Sequence, residues 1–209
     1  QAYELALALH PDSARTHLYI ASALEGCGVS TADAIAHYEK AILLDPTLES
    51  AYVYLGALFQ KCGDLESAEK NYLKAIDLKP NYALAFQGLG TINDWRGEAK
   101  EARESYLKAI ELAPDCVDAY LCLANLLKRE GEILYAIDTL KKATAEIPNS
   151  IQAHNELGCL LKWQGAEEQA RECFRKVVEL DQTYLELPEG IDPDTGNPEG
   201  FWLKLHSSN

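Results

Sequence analysis

Residues 49–80 read ESAYVYLGALFQKCGDLESAEKNYLKAIDLKP, and residues 83–114 read ALAFQGLGTINDWRGEAKEARESYLKAIELAP. Shifted by 34 residues, the two segments bring Leu55 onto Leu89, Gly56 onto Gly90, Ala68 onto Ala102, Tyr72 onto Tyr106, Ala75 onto Ala109 and Pro80 onto Pro114. Each holds two stretches with apolar residues at i, i+3, i+4 and i+7, the spacing of a helix with one buried face. Gly63 and Gly97 stand between the stretches, where a helix ends in a left-handed turn that glycine enters without strain. Pro80 and Pro114 close the second stretch, because proline has no N–H and clashes with the preceding turn. Each period therefore predicts a helical hairpin.

The same punctuation runs along the chain. Prolines fall at 11, 46, 80, 114 and 148, and glycines at 63, 97, 131 and 165. A later copy carries Tyr120, Leu123, Ala124, Leu127, Ala136, Leu140, Ala143 and Pro148. Another carries His154, Leu157, Gly158, Leu161, Ala170, Phe174 and Val177, with Gln182 in the proline position. Upstream, His17, Ile20, Ala21, Leu24, Ala34, Tyr38, Ala41 and Pro46 form a copy lengthened by one residue within 26–30, and Tyr3, Ala6 and Pro11 match a second half only.

This pattern resembles the tetratricopeptide repeat (TPR). The resemblance implies an all-α fold, a right-handed α-solenoid of about five helical hairpins with a preceding half repeat and a non-helical C-terminal segment. The expected organisation is the second helix of a truncated repeat over 1–13, five repeats at 14–48, 49–82, 83–116, 117–150 and 151–182, and a Pro/Gly-rich extended segment over 183–209. A single hairpin cannot bury its apolar face, so stability is expected from stacking on neighbours.

The 209 residues are 47% hydrophobic and 25% charged, the balance of an ordinary folded protein. The net charge of −14 repels phosphate backbones and anionic lipids, so neither nucleic acid nor membrane is expected as a partner. No apolar run is long enough for a transmembrane helix, and no basic-then-apolar leader follows Gln1. The six cysteines lack metal-ligand spacing and read as reduced, mostly buried small hydrophobes, so the expected setting is cytoplasmic and no metal or cofactor is expected. In the last segment Asp192, Asp194, Gly196 and Asn197 suit turns better than a calcium loop, which needs a bidentate Glu at its last position where Leu203 stands here. Phe201, Trp202 and Leu203 give that segment an apolar end, read as a cap on the array or a docking tail.

Catalysis is not expected. No nucleotide fingerprint, nucleophile elbow or metalloprotease motif occurs. His17 and His154 take the repeat's first aromatic position, which is a packing position. Binding is the better reading. Advancing 100° per residue along the first helix of each hairpin puts repeat positions 4, 7, 8 and 11 on one face and 2, 5, 9, 12 and 13 on the other. The resemblance makes this second face the lining of a concave, peptide-binding groove. It supplies Leu18 and Ser22 from the first repeat, Val53 and Ala57 from the second, and Leu84, Gln87, Thr91 and Trp95 from the third. Leu121, Asn125 and Lys128 follow from the fourth and Asn155, Lys162 and Trp163 from the fifth. The carboxylate clamp of chaperone-binding TPR domains is absent, since positions 5 and 9 never pair Lys with Asn. Position 6 holds Tyr19, Tyr54, Gly88, Cys122 and Glu156, so the asparagine ladder of sugar-transferase arrays is absent too.

The expected function is a protein–protein interaction scaffold holding an extended or helical segment, basic or apolar in character, of another protein. Two alternatives stand beside it. One is a regulatory or targeting arm of an enzyme whose catalytic domain lies outside this chain. The other is a structural scaffold that self-associates through the half repeat or through Phe201, Trp202 and Leu203.

Overall fold

The computed structural model describes residues 12–27 and 30–181. Among them lie ten α-helices and no strand: α1 Ala14–Cys27, α2 Thr31–Leu44, α3 Glu49–Lys61, α4 Leu65–Leu78, α5 Ala83–Arg96, α6 Ala99–Leu112, α7 Val117–Arg129, α8 Ile133–Glu146, α9 Ile151–Trp163 and α10 Glu167–Leu180. The half repeat expected over 1–13 and the segment over 183–209, with its turn residues and Phe201–Leu203, lie outside the described residues, apart from Asp12 and Ser13.

The chain forms two compact units that divide between Ala113 and Pro114. In the first, hairpins α1–α2, α3–α4 and α5–α6 pack in chain order through α2 against α3 and α4 against α5. In the second, hairpins α7–α8 and α9–α10 pack through α8 against α9. Within each unit the first helices of neighbouring hairpins also touch, α1 with α3, α3 with α5, and α7 with α9.

The turns follow from the glycines. Gly63, Gly97, Gly131 and Gly165 all adopt φ of 79–83°, the left-handed region. In the first of these turns Gly63 N–H donates to the Gln60 carbonyl and Asp64 N–H to the Phe59 carbonyl, so the last orphan carbonyls of α3 are satisfied. Asp64 then caps α4, its carboxylate accepting from Ser67 N at 3.0 Å. At the far end of each hairpin the residue before proline is driven out of the helical region: Asp45, Lys79, Ala113 and Ile147 have φ between −127° and −141° with positive ψ. Asp181 ends α10 in a similar conformation without a following proline, so the stop belongs to the repeat register and proline reinforces it.

The interior uses small residues as expected. Ala34, Ala68, Ala102 and Ala136 are fully buried at the contact of each second helix with its partner. An aromatic or leucine one turn on fills the space beyond: Tyr38, Tyr72, Tyr106, Leu140 and Phe174. Gly88 on α5 shows how tight this is, because a Cβ there would fall within 2.5 Å of Tyr72 Cε2.

The cysteines differ from the sequence expectation. Only Cys173 is buried, while Cys116, Cys122 and Cys159 are half-buried and Cys27 and Cys62 exposed. The last two sit at the C-terminal ends of α1 and α3, where the helix leaves the packed face.

Candidate functional site

The face of α1, α3, α5, α7 and α9 turned away from the buried stripe has a different character in each unit. In the first unit, two of the expected groove residues pack into the interior. Leu18 is 6% exposed in a cluster with Ala21, Leu55 and Leu58, and Val53 is 4% exposed in a cluster with Tyr72, Ala85 and Ile92. Both lie where first helices of neighbouring hairpins touch, a burial that the angular position on one helix does not reveal. Ser22 is exposed, and Ala57, Gln87 and Thr91 are partly so. Leu84 at 40% and Trp95 at 56% exposure stay open to solvent.

A row of hydrogen bonds ties the second helices of this unit to the same face. Tyr38 Oη donates to Glu25 Oε2 at 3.2 Å, Tyr72 Oη to Gln60 Oε1 at 3.0 Å and Tyr106 Oη to Thr91 Oγ1 at 3.4 Å. Burial, then the nearby Glu25 carboxylate, pushes the Tyr38 and Tyr72 hydroxyls well above the ordinary tyrosine range, so both remain protonated donors. Glu25 also pairs with Lys61 of α3. Glu25, Gln60, Lys61 and Thr91 on this face are thus already engaged within the unit.

In the second unit the tyrosine position holds Leu140 and Phe174, which have no hydroxyl to offer. Here Leu121 is half-buried, Asn125 and Lys128 are exposed, Asn155 and Lys162 are half-buried, and Trp163 is 73% exposed. Cys159 lies among them. Burial raises its thiol pKa and Glu156 adds to this, while Lys128 from α7 and Lys162 from α9 both oppose the rise. The two ammonium groups therefore act on one spot from neighbouring helices.

Three residues of this face escaped the sequence reading. Tyr19 and Tyr54 occupy repeat position 6, which at 100° per residue lies about 20° beyond position 13 at the edge of this face and is not among its five positions. Tyr19 is 65% exposed, and Tyr54 stacks on Tyr38 with ring centroids 6.2 Å apart. Glu25 is position 12 of the lengthened repeat, where the register is hardest to follow. The helical advance alone would have found all three.

The histidines pack, as their repeat positions implied. His17 is buried and its Nδ1 lies 2.9 Å from Nδ1 of His37. His154 Nε2 lies 3.0 Å from the Pro148 carbonyl, and Tyr52 Oη donates to the equivalent Pro46 carbonyl at 3.2 Å. Among the described residues no three His, Cys, Asp or Glu side chains cluster to hold a metal, and no helix is long and apolar enough to cross a membrane.

The tetratricopeptide-repeat family profile matches residues 49–82, 85–116 and 151–184. The chain is a tetratricopeptide-repeat protein. Solved TPR structures share its architecture. The crystal structure of MamA is 25% identical over 80% of this chain and 98% of its own, with a TM-score of 0.63. YrrB, a TPR protein with an unusual peptide-binding site, is 22% identical over 88% of this chain and 95% of its own, with a TM-score of 0.58. PilF of Pseudomonas aeruginosa is 18% identical over 100% of this chain and 96% of its own, with a TM-score of 0.74. No curated protein matches the chain in sequence. TPR arrays are typically non-catalytic protein-interaction modules, and this chain has the architecture of one.

Proposed function

We propose that the chain is a scaffold whose first-helix faces hold an extended or helical segment of another protein, of basic or apolar character. The observation that carries this reading is the set of large apolar side chains left in solvent on those faces, Leu84 and Trp95 in the first unit and Trp163 in the second. Exposed aromatic side chains of this kind are the usual anchors of an interface, because they bury much area for little lost freedom. The negative net charge adds long-range attraction for a basic partner. YrrB offers fold-level company, a peptide-binding site on the same architecture. Binding here positions the partner and transforms nothing. The setting we propose is cytoplasmic, where the cysteines, none of which is in a disulfide, stay reduced.

Crosslinking mass spectrometry from native lysate tests this. Crosslinks from a partner segment to lysines beside the first-helix faces, Lys61, Lys128 and Lys162, are expected. Crosslinks confined to the second helices, at Lys74, Lys108 or Lys142, would move the interface off the face proposed here.

A further inference from the structure

The second helices turn their outer faces to solvent, away from the first helices, and the outer face of α8 departs from the rest. There α4, α6 and α10 begin with Glu66 and Ser67, Lys100 and Glu101, and Glu168 and Gln169. In the same two positions α8 carries Leu134 and Tyr135, exposed by 64% and 66%. Towards their ends the other three helices close on an ion pair, Lys74 with Asp77, Lys108 with Glu111 and Lys176 with Glu179. The equivalent lysine of α8 is Lys142, but Ala145 stands in the place of the acid. Lys142, Lys141 beside it and Asp138 one turn earlier are all exposed, and none enters an ion pair among the described residues. At 100° per residue Leu134, Tyr135, Asp138, Lys141, Lys142 and Ala145 share an arc of about 120°, opposite the buried Ala136, Leu140 and Ala143.

We propose that this outer face of α8 docks on the same face of a second copy of the chain, the two helices antiparallel about a two-fold axis. The face is its own complement in that arrangement. With the axis at the level of Leu140, Tyr135 stands opposite the small Ala145 of the second copy, and Asp138 stands opposite the Lys141–Lys142 pair of the second copy. Each contact occurs twice, as a two-fold interface requires. Glu146, the remaining charge on this side, comes level with Leu134 of the second copy on the flank where the Tyr135 hydroxyl can donate to it. Two acids and two bases leave the face neutral in a chain whose sum is −14. Glu130 and Glu132, just ahead of α8, fall beyond the last turn of the second copy, where Pro148 and Asn149 carry no charge. The neighbouring α10 has its outer charges paired within itself, Glu168 with Arg171 and Glu172 with Arg175. Repulsion between the two chains as wholes is damped, because charges beyond about 8 Å are largely screened at physiological salt. A helix of 14 residues is about 21 Å long, and one such pair falls short of a standard interface, so the dimer is weak and forms with rising concentration. Since α8 turns its other side to α7 and α9, the contact leaves the first-helix faces of both copies open.

Sedimentation equilibrium of the full chain tests this with two charge-reversed variants, Asp138→Lys and the double Lys141→Asp with Lys142→Asp. The wild-type mass should rise with concentration from one chain towards two. Each variant alone sets like charges opposite each other twice and should weaken association about tenfold or more. An equimolar mixture of the two variants restores opposite charges at both contacts and should associate as the wild type does. Leu134→Ala with Tyr135→Ala should also weaken the dimer. All five positions are exposed, so far-ultraviolet circular dichroism should stay native throughout. A wild-type chain that stays single at every concentration overturns the proposal. So does a dimer that both charge variants leave intact, which would put the contact elsewhere, in the half repeat or in residues 183–209. Association lost in each variant and not regained on mixing would overturn the antiparallel two-fold pairing.

Discussion

Tyr72 on α4 donates its hydroxyl to Gln60 on α3 across a ring that also lies against the backbone of Gly88 on α5. One side chain thereby joins its own hairpin to the next one and reaches the face where a partner would sit. Its neighbours in register, Tyr38 and Tyr106, donate their hydroxyls in the same way to Glu25 and Thr91 of their own hairpins. In the first unit, core packing and surface polarity are therefore set by the same residues.

Tyr72→Phe keeps the ring and removes the donor. Gln60 is partly open to water and finds a replacement partner, so the loss should be that of one ordinary hydrogen bond, about 0.5–1.5 kcal/mol. Urea unfolding would measure it. A loss well above that range would mean the hydroxyl does more than cap Gln60.

Gly88→Ala should destabilise even though alanine is the better helix former by about 1 kcal/mol. The new methyl would overlap the Tyr72 ring, and overpacking of this kind costs about 1–3 kcal/mol. Gly56→Ala is the contrast. Its Cβ would stand 3.1 Å from Tyr72 Cε1, and the same repeat position already holds alanine at Ala21 and Ala124, so stability should change little. Comparable losses from both substitutions would refute the distinction.

The hairpins were legible because their determinants are local. A glycine at φ near 80° and a residue pushed extended by the following proline act on backbone within one turn, and both recur with the period. The face was legible only in part. Angle on a helix sets Leu84 and Trp95 away from the core, and both are exposed, yet it treats Leu18 and Val53 as their equals although contacts between first helices bury both. Nor does it show a tyrosine arriving from another helix. That contact depends on the pairing of α3 with α4, and the chemistry of Gln60 alone does not announce it.

Acid should loosen the first hairpin before the others. Burial lowers the pKa of His37, adjacent His17 lowers it further, and Asp33 opposes the shift. In the unfolded chain the ring takes its proton near pH 6.5, whereas the native ring resists protonation to lower pH. This contribution to stability is therefore complete above about pH 6.5 and is lost as pH falls through the lowered native value. Amide exchange, corrected for intrinsic rates, should show α1 and α2 losing protection relative to α3–α6 between about pH 7.5 and about pH 5. His37→Gln should remove the difference. Equal pH dependence of all three hairpins would rule it out.

Exposure separates two leucines that sequence placed in one stripe. Leu84→Asp with Leu121→Asp should leave far-ultraviolet circular dichroism native, since the first is well exposed and the second half-buried. The pair should weaken capture of the crosslinked partner segment by at least about tenfold, which is ~1.4 kcal/mol. Leu18→Asp should behave in the opposite way. It places a charge among Ala21, Leu55 and Leu58, where desolvation costs several kcal/mol, on the order of a large part of a domain's whole stability. Its signature is an early unfolding midpoint, and whatever fraction stays folded should still bind. If the double substitution left capture intact, the exposed leucines would be ordinary surface and the face of the first helices would lose its claim to the partner.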